Sequence, residues 1–210
     1  LSSQVNIPEK SQYPQILQNL AFKGKVYKLK ELIVNIPSLL QNLAQPFHNN
    51  LIKIANHNGC RLCCTDQGSI KHLELSVQNV TYLLQAKIYI FTAGQGNEIL
   101  THSLQKSPKM QRRPLHMVFM KAPNLPKFYA HCIGMSATPR ITITTHFAKD
   151  GQMIWYLGGK LAEDGVQRNQ TEQINTAKQE IASLFPWLKA SATWGSFFID
   201  RAEAAHPLGL

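Results

Sequence analysis

Polar and apolar residues alternate through much of the second half of the chain, which is typical of an antiparallel sheet with one covered face. In residues 140–146, Ile141 and Ile143 fall on one face of a strand, whereas Thr142 and Thr144 fall on the other. Asp150-Gly151 predicts a hairpin turn. We expect a sheet of about five strands. The β segments are predicted at residues 115–120, 128–133, 140–147, 153–157 and 194–199.

A helix that covers one face of this sheet is predicted near the end of the chain. Residues 171–185 place apolar side chains three and four positions apart, which is helical spacing. Asn169 or Thr171 caps the start of this helix, and Pro186-Trp187 ends it. These elements predict an α/β fold, of the α+β kind within these residues, with the helix packed on the antiparallel sheet.

The first half of the chain combines a helical pattern with a hairpin. Residues 37–54 predict an amphipathic helix of about four to five turns, with Pro37 in its first turn and a bend at Pro46. A turn at Asp66-Gln-Gly68 is predicted to join two short strands, and a third strand follows. The three strands are expected at residues 60–64, 70–75 and 80–85.

Residues 88–96 join an apolar run to a glycine-rich turn. The run from Ile88 to Phe91 lacks alternating polarity, as in a strand that is covered on both faces. Ala93, Gly94 and Gly96 follow, and the glycines allow a tight turn or the close approach of a ligand. Ligands collect at the carboxyl ends of strands in open α/β sheets. The turn is therefore a candidate ligand site, and an ordinary junction between strand and loop is the alternative.

The composition is that of a globular protein. Of its 210 residues, 44% are hydrophobic and 16% are charged, and no apolar run approaches the roughly 20 residues that a membrane span needs. The start of the chain shows no signal-peptide pattern, so we expect a cytoplasmic protein; peripheral contact with a membrane stays open. Because the chain lacks an initiating Met, we expect a piece of a longer protein.

The net charge of +10 invites a nucleic-acid interpretation. Lysines cluster in residues 23–30 and Arg112-Arg113 lie in the middle of the chain, but the other basic residues are scattered and no basic helix or binding motif occurs. We therefore predict no nucleic-acid partner. A basic cleft for an anionic small substrate or cofactor fits the same charge.

Three of the four cysteines, Cys60, Cys63 and Cys64, lie in one short segment. With His57 they spell His-x-x-Cys-x-x-Cys-Cys, which has the spacing of metal ligands. A closed structural zinc site usually needs a second, distant ligand pair, and the sequence has no other Cys-x-x-Cys. We predict that this segment binds no metal and that its thiols are buried and reduced.

The motifs follow one another in an order that is more specific than any one of them. In sequence they are the helix from Pro37, Asp66-x-Gly68, Thr92-Ala-Gly94, Arg113-Pro114, Leu157-Gly-Gly159, the helix ended by Pro186-Trp187, and Arg201. This order resembles that of FAD-dependent oxidoreductases of the D-amino-acid oxidase fold, such as glycine oxidase, sarcosine oxidase and aerobic glycerol-3-phosphate dehydrogenase. The resemblance covers roughly residues 26–203.

The resemblance implies a division of the chain. Residues 1–25 would be a connecting segment, residues 26–106 part of an FAD-binding unit, and residues 107–210 the antiparallel sheet and helix of the substrate domain. Ala93, Gly94 and Gly96 would lie near the FAD. The dinucleotide fingerprint Gly-x-Gly-x-x-Gly does not occur in the chain. FAD would therefore be held by the full-length parent, and the isolated piece would be inactive.

The resemblance also implies a reaction, the oxidation of a small anionic substrate by hydride transfer to the flavin. The substrate would be an amino acid, a hydroxy acid or a molecule like glycerol-3-phosphate. Its contacts would come from Arg113, Arg140, Tyr156 and Arg201, since guanidinium groups suit carboxylates and phosphates. For Arg201, a surface ion pair with Asp200 or Glu203 is the alternative.

Histidines supply the candidate catalytic groups. His116 and His146 would act as acid, base or anion ligand beside the flavin, and with His131 they would converge on one face if the strand registers agree. For any single histidine, a hydrogen-bonded structural role is the alternative. For the chain as a whole, the alternative is a non-catalytic module that binds an anion or a protein.

Overall fold

The structure is a computed structural model, which describes residues 5–54, 59–78, 80–104, 110–136, 138–188 and 191–205. It divides into two compact units. The sheet unit comprises Leu1–Lys30 and Arg113–Arg201, and the hairpin unit comprises Glu31–Arg112 and Ala202–Leu210. The domain boundaries implied by the family resemblance concern the whole protein and stay predictions.

The hairpin unit contains a short helix followed by a three-stranded antiparallel sheet. Its sheet order is β1-β2-β3, as the predicted hairpin and third strand require. The turn between β1 and β2 is closed by a hydrogen bond from the Thr65 amide to the Ser69 carbonyl. The elements are α1 (Ile36–Ala44), β1 (Cys60–Cys64), β2 (Ile70–Val77), β3 (Val80–Leu84) and α2 (Asn97–Ser103).

The sheet unit is built on a five-stranded sheet of order β5-β6-β7-β4-β8. The pairs β4–β7, β5–β6 and β6–β7 are antiparallel. This sheet confirms the predicted α/β class with an antiparallel sheet and a packed helix. The elements are β4 (Met110–Lys121), β5 (Ala130–Cys132), β6 (Ile141–Phe147), β7 (Met153–Gly158), α3 (Lys160–Asp164), α4 (Gln170–Leu184) and β8 (Thr193–Ala204).

Helix α4 covers one face of this sheet, as predicted. Asn169 caps it, accepting a hydrogen bond from the Glu172 amide, while the Glu172 carboxylate accepts one from the Asn169 amide. The buried side chains of Ala177 and Ile181 point into a core that includes Trp155, which is completely buried. The pattern of α4 therefore predicted both its start and its buried face.

Two buried features of the sheet unit have no signal in the apolar pattern. Gln173 is completely buried in α4, where its Nε2 donates to the carbonyls of His116 and Leu161 at 2.7 and 3.0 Å. Gly159 has φ +72°, and a Cβ there would lie 2.7 Å from the Pro139 carbonyl oxygen. Only glycine fits this junction between β7 and α3.

The predicted strand at residues 88–91 is wrong. These residues have no strand structure, and Ile88 and Ile90 are 77% and 82% exposed. The apolar run indicated that both sides would be covered, but a strand also needs a neighbour for its backbone hydrogen bonds. Among the described residues, no strand pairs with this segment.

The predicted helix of four to five turns is also too long. Helix α1 ends at Ala44, and a 3₁₀ helix continues from Gln45 to Asn50. Pro46 has no N–H to donate to the carbonyl four residues earlier, so the α-helical pattern cannot continue through it. The sequence predicted a bend at Pro46, and the structure has instead the end of the α-helix just before it.

Candidate active-site face

Side chains alternate between the two faces of the five-stranded sheet. Val118 and Leu157 pair across β4 and β7 and are completely buried on the face that α4 covers. Their neighbours Phe119 and Tyr156 also pair, so they share the opposite face. We call this second face the His146 face. The register places Phe119, Thr142, Thr144, His146, Tyr156 and Phe197 on it.

A small polar and aromatic cluster occupies the His146 face. The His146 ring stacks on the Tyr156 ring with centroids 4.3 Å apart, and Tyr156 meets Phe197 edge-on at 5.3 Å. His146 Nε2 lies 2.9 Å from Thr144 Oγ1. The side chain of His146 is exposed, but partial burial of its ring lowers the pKa of His146 below its ordinary value. The imidazole is therefore neutral near pH 7, and it is able to accept a proton.

His116 lies on the other face and is fixed by two hydrogen bonds. Its Nδ1 is 3.0 Å from the Gly165 carbonyl oxygen, and its Nε2 is 2.9 Å from Ser196 Oγ. Because a carbonyl only accepts, Nδ1 carries a proton, and in the neutral ring Nε2 accepts from the Ser196 hydroxyl. The ring also stacks on Phe198 at 4.0 Å. Both nitrogens are thus occupied by groups of the fold.

The three histidines do not converge. His116 and His146 lie on opposite faces of the sheet, so the structure separates the two predicted catalytic groups. His131 pairs with Thr142 and shares the face of His146. It lies four residues away in register, which is about 13 Å along a strand. The convergence required a register that the strands do not have.

The arginines predicted to bind substrate have partners of their own. Arg140 forms an ion pair with Glu180 of α4, and Arg201 lies 3.4 Å from Glu163 of α3. Arg113 lies near the start of β4 and is exposed. Arg201 pairs with neither Asp200 nor Glu203 in these contacts, and its Nε is buried without a hydrogen-bond partner among the described residues. Their predicted role in substrate binding stays a prediction.

The loop predicted to approach the cofactor is held by one asparagine. Asn97 Oδ1 accepts from the Ala93 amide at 3.1 Å, and Asn97 Nδ2 donates to the Phe91 carbonyl at 3.2 Å. Gly94 has φ +54°, as the predicted turn requires, and Gly96 ends the 3₁₀ turn before α2. The strand that should precede the turn is missing, so the described residues by themselves do not fit a dinucleotide.

Sequence reasoning overlooked several members of these clusters. Thr144 was placed on the polar face of its strand, but its contact with His146 follows from a rotamer that no pattern reveals. Phe197 joins Tyr156 because β8 lies at the far side of β4, which is a matter of strand order. Alternation in residues 194–199 would have placed Phe197 on a defined face, although not beside Tyr156.

The segment His57 to Cys64 is only partly described. His57 lies outside the described residues. Cys60 is exposed, while Cys63 and Cys64 are partly buried in β1. All four cysteines of the chain are free thiols in the structure, but the predicted burial of the segment is wrong, because Cys60 is exposed and Cys63 and Cys64 are only partly buried.

Comparison with known proteins finds a strong similarity to an FAD-dependent oxidoreductase. The chain is 40% identical over 202 residues to a Pseudomonas aeruginosa protein named "Probable FAD-dependent oxidoreductase PA4991", across 92% of this chain and 48% of that protein. A crystal structure of the FAD dependent oxidoreductase PA4991 from the same organism has a TM-score of 0.83 and 37% identity, covering 97% of this chain and 57% of that one. This chain thus spans about half the length of its curated relative. No family model matches it.

None of the helices among the described residues is long and apolar enough to cross a membrane.

Proposed function

We propose that the chain is the substrate-binding part of an FAD-dependent oxidoreductase. The observation that carries this proposal is the 40% identity to an oxidoreductase over 92% of the chain. The agreement extends to structure, with a TM-score of 0.83. Both similarities favour an oxidoreductase over a non-catalytic binding module. Placement in the D-amino-acid oxidase family rests on the order of the sequence motifs and is part of the proposal.

FAD would be held mainly by parts of the whole protein outside these residues. No strand of the described residues pairs with residues 88–91 and the chain has no dinucleotide fingerprint, so the described residues lack the paired strand from which a pyrophosphate-binding turn is built. The exposed apolar side chains of Ile88 and Ile90 fit a surface that the remainder of the same protein covers. When bound, the flavin supplies the electron acceptor.

The His146 face is the part of the chain best suited to bind substrate. A neutral His146 presents its Nδ1, which has no partner among the described residues, while Nε2 is held by Thr144. It can take a proton from the amino or hydroxyl group of a substrate. Tyr156 holds the imidazole plane by stacking, so it positions the base. We infer that the substrate is a small amino acid, hydroxy acid or phosphate ester.

Arg201 is an alternative site for the anionic group of the substrate, apart from His146: its partner Glu163 lies in α3, beyond the end of β7, whereas His146 pairs with Ile154 at the start of that strand. Arg201 Nε is buried without a partner among the described residues, and the contact of Arg201 with Glu163 is long for a charged hydrogen bond. A carboxylate or phosphate would supply the missing acceptor. Arg113 and Arg140 stay as further candidates, although Arg140 already has Glu180 beside it.

The first test uses the whole protein, whose purified form should show a flavin absorbance spectrum. Anaerobic flavin reduction is then measured against a panel of amino acids, hydroxy acids and glycerol phosphates. We expect His146→Gln to slow reduction by the best substrate about 10²–10⁴-fold. His131→Gln is the matched control on the same face and should leave the rate unchanged.

The outcomes distinguish a wrong protein class from a wrong assignment of the catalytic base. A whole protein without flavin absorbance would overturn the oxidoreductase proposal itself. If the whole protein contains flavin but its His146→Gln variant is reduced at the wild-type rate, the oxidoreductase class is retained and His146 is not the base.

The second test concerns Arg201. Arg201→Lys keeps the charge but loses the planar fork, so it should raise KM about tenfold or more. The control is Arg112→Lys, because Arg112 is paired with Glu98 in the hairpin unit. An unchanged KM in Arg201→Lys would show that this arginine is structural.

A further inference from the structure

The hairpin of β1 and β2 brings together three metal-ligating side chains from different parts of the sequence. Cys63 and His72 are directly opposite each other in the register, and Glu74 follows two residues later on the face of His72. One ligand atom of each side chain lies within 4.8 Å of the other two. His72 and Glu74 are outside the His57 to Cys64 pattern, so sequence spacing did not indicate this cluster. The cluster argues against our sequence-based prediction that the cysteine segment binds no metal.

The separation of the ligand atoms matches that of ligands sharing one ion. His72 Nε2 and Glu74 Oε1 are 3.4 Å apart. Two atoms that each lie about 2.0–2.1 Å from a tetrahedral zinc ion are about 3.3 Å apart. Little movement of these two side chains would be needed to bind an ion. The Sγ atom of Cys63 lies within 4.8 Å of the same carboxylate and of the His72 ring nitrogen.

Arg61 orients the carboxylate without using the oxygen that faces the cluster. Its Nε donates to Glu74 Oε2 at 2.7 Å, and its Nη2 also lies against Oε2. Glu74 Oε1 is the oxygen that faces His72. A ligating carboxylate is commonly held in this way by an outer hydrogen bond. The ion pair with Arg61 therefore leaves Glu74 Oε1 available to bind a metal ion.

The donor set selects the class of metal. One sulfur, one imidazole nitrogen and one carboxylate oxygen suit zinc and similar divalent transition metals, whereas magnesium and calcium prefer oxygen alone. We propose that Cys63 Sγ, His72 Nε2 and Glu74 Oε1 bind one zinc-class divalent ion, with a further position open to water or a fourth ligand. The thiol proton is released to solvent as the sulfur–metal bond forms.

Cobalt(II) is a coloured probe for such a site. Titrating the metal-free protein with Co²⁺ should saturate at one ion per chain. The spectrum should show a thiolate-to-cobalt charge-transfer band and the strong visible bands of a four-coordinate ion. Zn²⁺ should then displace the cobalt and bleach these bands. This readout does not depend on flavin or on enzymatic activity.

Four variants test the ligand assignment. Cys63→Ser should abolish the charge-transfer band, and His72→Gln should weaken Co²⁺ binding at least tenfold. Arg61→Met removes only the outer contact and should weaken binding about 10–100-fold. Cys60→Ser is the matched control, because Cys60 is an exposed thiol of the same strand and should leave the titration unchanged. Circular dichroism of the metal-free variants checks that each hairpin is folded.

Two results would overturn the proposal. One is the absence of a saturable thiolate–cobalt band in the folded wild-type protein. The other is a band that persists in Cys63→Ser but disappears in Cys60→Ser, which would assign the metal to another thiol.

Discussion

The sheet unit closes around an apolar core, whereas the hairpin unit leaves most of its large apolar side chains exposed. Val118, Ile141 and Trp155 are completely buried in the sheet unit. Among the described residues of the hairpin unit, Leu75 is the one buried large apolar residue. Leu40 and Phe47, on the segment of α1 and its 3₁₀ extension, are 60% and 61% exposed.

This difference shows that an apolar stripe on a helix does not determine which surface, if any, of the same unit covers that stripe. Helices α1 and α4 both carry an apolar stripe, but only α4 buries its stripe against the sheet of its own unit, whereas no residue of α1 is buried. Exposed apolar patches of this extent mark interaction sites. The apolar side of the hairpin unit therefore fits an interaction surface, which under the proposed function the rest of the parent protein would cover.

The largest expected effect on stability is the loss of a core side chain from the sheet unit, which we compare with the loss of an apolar side chain from α1. Trp155→Ala removes a fully buried ring and its hydrogen bond to the Pro126 carbonyl, and should cost about 3–5 kcal/mol of the free energy of unfolding. Leu40→Ala should change it by no more than about 0.5 kcal/mol in this chain. Urea unfolding measures both.

The same pair sharpens the proposal for the whole protein. If the remainder of the protein covers α1, Leu40→Ala should cost about 2 kcal/mol or more there. Equal losses from both variants in the 210-residue chain would contradict the contrast between the two units.

An intermediate effect concerns the reactivity of one thiol from each unit. Burial raises the pKa of Cys132 from its ordinary value of 9.0 to about 11. Near pH 8 it would hold about 100-fold less thiolate than an ordinary thiol, and the thiolate is the form that is alkylated. Cys60 is exposed and should be alkylated at least about 100-fold faster. Rates measured peptide by peptide, by mass spectrometry without metal, test this; similar rates would be the contrary result.

The smallest expected effect is on the acid dependence of stability, through an ion pair in the sheet unit. Lys121 donates to Asp150 and lowers the pKa of this carboxyl below its ordinary value of 3.8. Because the folded-state pKa is depressed, the contribution to stability is present above about pH 4 and is lost as the pH falls through the folded-state pKa. Lys121→Met should make the fall of stability below about pH 4 shallower. Lys71→Met, in the hairpin unit, should reproduce the wild-type slope.

Sequence patterns correctly predicted the elements whose structure depends on residues close together in the sequence. The alternation around Ile141 and Ile143, the Asp150-Gly151 turn and the cap at Asn169 all appear as expected. The candidate site was predicted less well. Tyr156 and His146 do lie together, but His116 lies on the opposite face. A sheet face is defined by local alternation, but the residues that meet on it are chosen by strand order and register.

The sequence by itself determined the periodicity of each element, because side-chain direction alternates locally along a strand and repeats locally along a helix. It also carried the order of motifs from which an oxidoreductase was inferred. Only the tertiary structure decided that residues 88–91 are unpaired and that Ser196 holds His116. Only the pairing of β1 with β2 set Cys63 against His72. Such contacts join residues far apart in the chain, and they depend on which strands pair and in which register, so no local pattern encodes them.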